Sequence, residues 1–269
     1  MNEEIYPNAP IVLMVAEIKH TKHEPLDEKQ IRRISEMVKD RLPVRDDGEE
    51  RTILFEDNPD SGTPPFRFSQ TKVMRWSSRD RRTVLTIKPE SFTVETTLYH
   101  RYLEVRELLE HALTALAGVE GMNGVTRIGL RYIDEIRVPS GNDSGIPKWD
   151  EWVDASLLGP LNIEIGCGLL PTSSEGVAVF SGDSETRLVL RYGAQDAYVV
   201  GSSPQLRRPL PSPGPLFKLD IDSYWEPVDV PEFIPETILT TADRLHDPVR
   251  SMFEGLITDK LRNEVLRHV

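Results

Sequence analysis

The chain has 269 residues, 38% of them hydrophobic and 28% charged, and its 44 acidic against 32 basic side chains leave a formal net charge of −12. No apolar run approaches the ~18 residues that a membrane-crossing helix needs, so the length serves one large sheet-based domain or two smaller ones. The single cysteine, Cys167, excludes an internal disulfide and any multi-cysteine metal cluster, and the negative balance opposes a nucleic-acid backbone unless basic side chains are segregated on one surface.

The start MNEEIYPNAP is acidic, and the apolar IVLMVA after it lacks the length and basic flank of a secretory leader, so we expect a cytoplasmic protein. Residues 11–20, IVLMVAEIKH, begin apolar and then alternate, which predicts a strand buried at its start. In LDEKQIRRISEMVKDRLP, Ile31, Ile34, Val38 and Leu42 recur at helical spacing and Pro43 ends the pattern. RTILFE, FRFSQTKVMRW, RTVLTIK and SFTVETTLY follow as four strands of a meander, parted by the turn-forming DNPDSGTPP, SSRD and PE. RYLEVRELLEHALTALAG then sets Val105, Leu108, Leu109, Ala112, Leu113 and Leu116 on one helical stripe and ends near Gly118.

Residues 124–138, GVTRIGLRYIDEIRV, read as a long strand, PSGNDSGIP as a loop, and KWDEWVDASLLG as a short helix that groups Trp149, Trp152 and Val153. NIEIGCGLL, VAVFSGDSETRLVLRY with an interruption at SGDS, AYVVGS and FKLDIDSY are the next strands, and Cys167 is expected as a small buried side chain. From about Glu236 the pattern is helical. Asp247-Pro248 has the form of an N-cap and a first-turn proline, predicting a break or kink there, with Val249, Met252, Phe253, Leu256 and Ile257 as the buried stripe beyond it.

Both halves thus read strand, helix, four strands, helix. The expected fold class is α+β: a tandem duplication, residues 1–121 and 122–269, forming one long curved antiparallel sheet with helices on one face, because each long helix needs an apolar sheet surface to cover its stripe. The order is similar to that of TATA-binding-protein-like and helix-grip folds, a likeness of topology that confers no function.

The stretches YPNAPIVLMVAEIKH, TRIGLRYIDEIRVP and HDPVRSMFEGLITDKLR resemble the signature regions of a sporadically distributed prokaryotic family of conserved hypothetical proteins of about this length. The sequence departs from that family at Leu13, where an acidic residue is commoner, and at Asp134, where asparagine is commoner. The resemblance carries no activity with it; the family's patchy occurrence implies an accessory role in a mobile, defence or toxin–antitoxin system.

In PLFKLDIDSYWE, a side-chain period of two places Lys218, Asp220 and Asp222 on one strand face and Phe217, Leu219 and Ile221 on the other. The aspartates then have three uses: salt bridges across a solvated sheet face to Arg187 and Arg191, a Mg²⁺ or Mn²⁺ site with Glu226 or Glu164, or a polar ligand-binding face. His20 and His23 are expected as surface histidines, since residues three apart on a strand point to opposite sides. RWSSRDRRTVLTIK holds the densest basic cluster, which a solvated hairpin turn accounts for. The proline-rich SSPQLRRPLPSPGP, residues 202–215, reads as a stiff connection at a sheet edge or as a segment that a partner docks on.

Phosphate-loop, zinc-protease, nucleophile-elbow, dinucleotide-fingerprint and paired-cysteine motifs do not occur, and no cofactor is expected. The reading is therefore a non-catalytic binding protein that presents Arg131, Arg191, Asp220 and Asp222 on an uncovered sheet face to a protein partner or polar ligand. The alternatives are a metal-dependent hydrolase or nuclease at Asp220 and Asp222, and small-molecule binding in a cavity between sheet and helices.

Overall fold

The computed structural model describes residues 4–55, 66–139, 147–163, 166, 167, 169 and 173–268. Among them nine strands form one antiparallel sheet: β1 (Ile11–His20), β2 (Val44–Phe55), β3 (Phe66–Ser77), β4 (Thr83–Lys88), β5 (Ser91–Thr96), β6 (Val125–Ile136), β7 (Gly176–Ser181), β8 (Thr186–Asp196) and β9 (Pro215–Trp225). Their spatial order is β2-β3-β4-β5-β1-β6-β9-β8-β7, so β1 and β6 lie side by side at the centre and each leads outward to later strands of its own half. Four helices accompany the sheet: α1 (Glu28–Val38), α2 (Tyr102–Leu116), α3 (Pro235–Leu256) and the single turn α4 (Asp259–Leu261). None of the described helices is long and apolar enough to cross a membrane.

Alternation sorts each central strand onto two faces. Met14, Ala16 and Ile18 of β1, Leu130 and Tyr132 of β6 and Phe217, Leu219 and Ile221 of β9 all join the core beneath the helices. α1 starts at a reciprocal capping box, in which Asp27 accepts from the Gln30 N–H at 2.7 Å and Gln30 accepts from the Asp27 N–H at 2.8 Å. Ile34 and Val38 face inward, and Ser35 accepts the indole N–H of Trp76 at 2.9 Å. The whole predicted stripe of α2 is buried, and Arg106 of α2 reaches Asp243 of α3 at 2.9 Å. The helices therefore share one face of the sheet, and the other carries Leu13, Val15, Glu17 and Lys19 of β1 and Arg127, Gly129 and Arg131 of β6.

Several expectations are corrected. KWDEWVDASLLG makes two short 3₁₀ turns (Trp149–Glu151, Ala155–Leu157), with a third (Gly159–Asn162) starting at its last residue, because the backbone between the first two bonds to the end of α3. The Asp154 N–H donates to the Leu256 carbonyl and the Thr258 N–H to that of Trp152, which competes with helical pairing. Trp149, Trp152 and Val153 are nonetheless buried as expected. α3 passes through Pro248 without a break; Arg244, whose carbonyl loses its amide donor, is exposed, so water can replace that bond.

The second half holds three strands beyond β6 among the described residues, not four. Its AYVVGS segment is no strand, since the Val199 and Val200 N–H groups donate to the Glu135 carboxylate instead of to a neighbouring strand. Of NIEIGCGLL, residues 164, 165, 168 and 170 lie outside the described residues, and Cys167 is exposed at φ 55°, not buried. His20 and His23 are both buried, because the chain turns at Thr21 and Lys22 and brings the two rings to 5.7 Å.

Candidate functional site

The helix-free face is a trough of about 810 Å³ that spans from β2 across β3, β4, β5, β1 and β6 to β9. Every second residue of these strands lines it, and the charged ones are Glu17 and Lys19 of β1, Glu50 of β2, Arg75 of β3, Lys88 of β4, Glu95 of β5, Arg127 and Arg131 of β6 and Asp222 of β9. Six strand spacings of about 4.8 Å make it roughly 29 Å across, the length of an extended segment of about nine residues.

Arg131 and Asp220 form a two-pronged pair, with Nε and one terminal nitrogen each 2.7 Å from a carboxylate oxygen. Asp220 is only 4% exposed, shielded not by a helix but within the polar face. Asp222, opposite Arg131 in register, faces Arg127 at 3.4 Å. Burial pushes its carboxyl upward, against the pull of Arg127, Arg131 and Arg191. The aspartates are thus bonded through β6, whereas the sequence pointed to Arg187 and Arg191 of β8. Arg191 stands opposite Asp220 in register and acts on Asp222 through charge alone, outside the lining of the trough.

Arg127 occupies a place that a glycine opens. A Cβ at Gly129 would lie 2.4 Å from its guanidinium, which instead reaches Glu17 at 2.7 Å and lies 4.6 Å from the centre of the Tyr224 ring. Across the trough, Glu50 receives Arg75 at 2.9 Å and Lys88 at 2.7 Å; burial would raise its carboxyl, but these hydrogen bonds hold it below the ordinary range. Glu95 has no such relief. Among the described residues no hydrogen bond or ion pair reaches its carboxylate, and burial, opposed by the charge of Lys88, holds it above the ordinary range.

The proline-rich connection crosses this face at one end. Arg208, 8% exposed, donates to both oxygens of Glu135 at 2.7 Å. Arg81 in the β3–β4 turn donates to the Pro204 carbonyl at 2.7 Å, and Thr97 donates to that of Arg207 at 2.6 Å. The strap so fixed brings Ser203, Gln205 and Leu206 to the rim of the trough. It therefore links the two halves of the sheet, where the sequence suggested an edge. Arg75, Arg81 and Arg82 of the basic cluster are taken up by Glu50, Pro204 and Thr97.

No group of three or more carboxylate, imidazole or thiol side chains is gathered for an ion among the described residues. Each aspartate has a guanidinium where a metal would sit, and of the two further acids considered, Glu226 lines no part of the trough and Glu164 lies outside the described residues. Between sheet and helices lie a cavity of about 90 Å³ beside β6, far below the ~300–1,000 Å³ of a typical ligand pocket, and a cleft of about 550 Å³, within that range, where Phe180 and Leu188 of β7 and β8 face Met252 and Leu256 of α3. Sequence reasoning missed Glu17, Glu95 and Arg127. The spacing of Arg127, Gly129 and Arg131 shows the same alternation that singled out Arg131, so that signal was present.

No family model matches the chain, and no match among curated proteins was found.

Proposed function

We propose that the chain is a non-catalytic, cytoplasmic binding protein whose trough receives a polar partner of mixed charge, in the first place an extended segment of another protein. The observation that carries this reading is the unpartnered carboxylate of Glu95 on the floor of a strand-wide groove in which Arg75, Lys88, Arg127 and Arg131 already have acidic partners. A partner's lysine or arginine would relieve it. Pre-formed pairs such as Arg131–Asp220 hold their side chains in fixed orientations, which lowers the entropy cost of docking and favours a sequence with complementary alternation. Such a function fits an accessory role of the kind implied by the family resemblance.

The strand order supports the finer architectural reading. Outward from the centre it runs β1, β5, β4, β3, β2 on one side and β6, β9, β8, β7 on the other. We read this as two units, residues 1–121 and 122–269, in the manner of a TATA-binding-protein-like saddle, with the second unit one strand shorter among the described residues.

The test is anisotropy of fluorescein-labelled peptide libraries of mixed charge against the full chain. Glu95→Lys and Arg131→Glu are expected to weaken the best binders at least tenfold with an unchanged circular dichroism spectrum, while Glu110→Lys on the helix side leaves them unaffected. Equal binding by all four proteins would exclude the trough.

A further inference from the structure

The 90 Å³ cavity on the helix side lies between β6, β9, α3 and the chain before β1. Asp134 of β6 lines it and is 1% exposed, yet its Oδ1 has no hydrogen-bond partner among the described residues. An acceptor buried without a donor costs about 1–3 kcal/mol, more when charged. A fold that keeps one beside a space well above the roughly 15 Å³ needed by a water has room for a ligand that supplies the donor.

The surrounding walls are aromatic. Tyr99 meets Tyr132 edge to face with centroids at 5.6 Å, Tyr132 shares a 3.0 Å hydrogen bond with His246 Nδ1, and His246 stacks on Tyr102 at 4.2 Å. Tyr6 and Phe253 close another side. Ring faces attract a cation through their quadrupoles, and a carboxylate supplies its counter-charge.

We propose that this cavity binds a small primary ammonium group, with Asp134 as its counter-ion and the rings of Tyr99, Tyr132 and Phe253 as its walls. A primary ammonium has three N–H donors, enough to satisfy the carboxylate and still face the rings. Glu254 and Glu4 also line the space, but Arg262 and Arg267 hold them, at 3.1 Å and 2.8 Å. Arg250, with His100 and His246 when protonated, opposes a cation there, and Asp220 acts on Asp134 from across the sheet. The site lies on the opposite side of the sheet from the trough and stands or falls separately from it.

The experiment is calorimetry and thermal unfolding of the full chain with methyl-, ethyl- and propylammonium chloride, with sodium chloride and propanol as controls. The amines are expected to raise Tm above both controls. Burial pushes the Asp134 carboxyl up to about 8, so binding at pH 7 should release close to one proton, read from the dependence of the heat on the buffer's ionisation enthalpy, and affinity should rise from pH 6.5 to 9. Asp134→Asn should weaken binding more than tenfold, and Arg250→Gln should tighten it. Equal effects of amine and propanol, or unchanged binding in Asp134→Asn, would mean a cavity holding only water and overturn the assignment. If Asp134→Asn does not fold, Tyr99→Leu serves: several-fold weaker binding with proton release retained supports the site, and unchanged affinity overturns it.

Discussion

Replacing Arg208 by methionine removes the guanidinium that spans both oxygens of Glu135 while keeping most of the side-chain volume. Both side chains are almost wholly buried, at 6% and 1% exposure. Removing one member of a buried ion pair costs about 3–5 kcal/mol, because the remaining charge is left without its counter-ion. A second route gives a similar size. Burial would raise the Glu135 carboxyl, but hydrogen bonds from Arg208, then Arg137 and the Val199 N–H, bring it from its ordinary 4.5 to about 2. That difference is worth roughly 3 kcal/mol for the whole set, at about 1.4 kcal/mol for each pH unit. Since Arg137 and Val199 remain, we expect a loss of about 2–3 kcal/mol at pH 7 in urea unfolding. The folded value lies below the unfolded one, so this stability is complete above about pH 4.5 and is lost as pH falls toward 2; in the variant that acid limb should shrink. Trypsin should also cut at Arg207 faster, as the strap loses its anchor. A loss under about 1 kcal/mol, with an unchanged acid limb, would refute the view that this pair ties the strap to the sheet.

Asp134→Asn should stabilise the protein at neutral and higher pH. Its folded carboxyl is raised, so its contribution is complete below about pH 3.8 and is lost as pH rises through about 8; the gain in Tm should therefore be larger at pH 9 than at pH 4, and an equal gain would contradict the burial of this acid. His20 runs the other way along the pH axis. Burial, opposed by its bond to the Thr21 carbonyl and aided by His23, lowers it from 6.5 to about 4, so roughly 3 kcal/mol present above pH 6.5 is lost as pH falls toward 4. His20→Leu should flatten that window in acid unfolding curves. Gly129→Ala should displace Arg127 from Glu17 and Asp222, costing about 1 kcal/mol for these partly exposed pairs and moving the Asp222 carboxyl further up, as read by NMR titration; an unmoved Asp222 would show that Arg127 finds its partners regardless.

Local rules carried the sequence reading as far as the neighbours within one element. Alternation along β9 determined that Asp220 and Asp222 lie opposite Phe217, Leu219 and Ile221, and helical spacing determined the buried stripe of α2, because backbone geometry alone decides which side chains share a face. It failed where tertiary partners compete for the backbone: the Trp152 carbonyl and the Asp154 N–H bond to Thr258 and Leu256 at the end of α3, and Val199 and Val200 gave up a strand to Glu135.

Only the tertiary structure decided which charges meet. Arg131 finds Asp220 through the β6–β9 register 89 residues away, and Arg208 finds Glu135 73 residues away through a connection that crosses the sheet. The closeness of Asp134 to Tyr99 and His246 depends in the same way on how α3 lies over β6. Such meetings are set by strand order and helix packing, which are cooperative properties of the whole chain, whereas the face on which each residue stands follows from its own few neighbours.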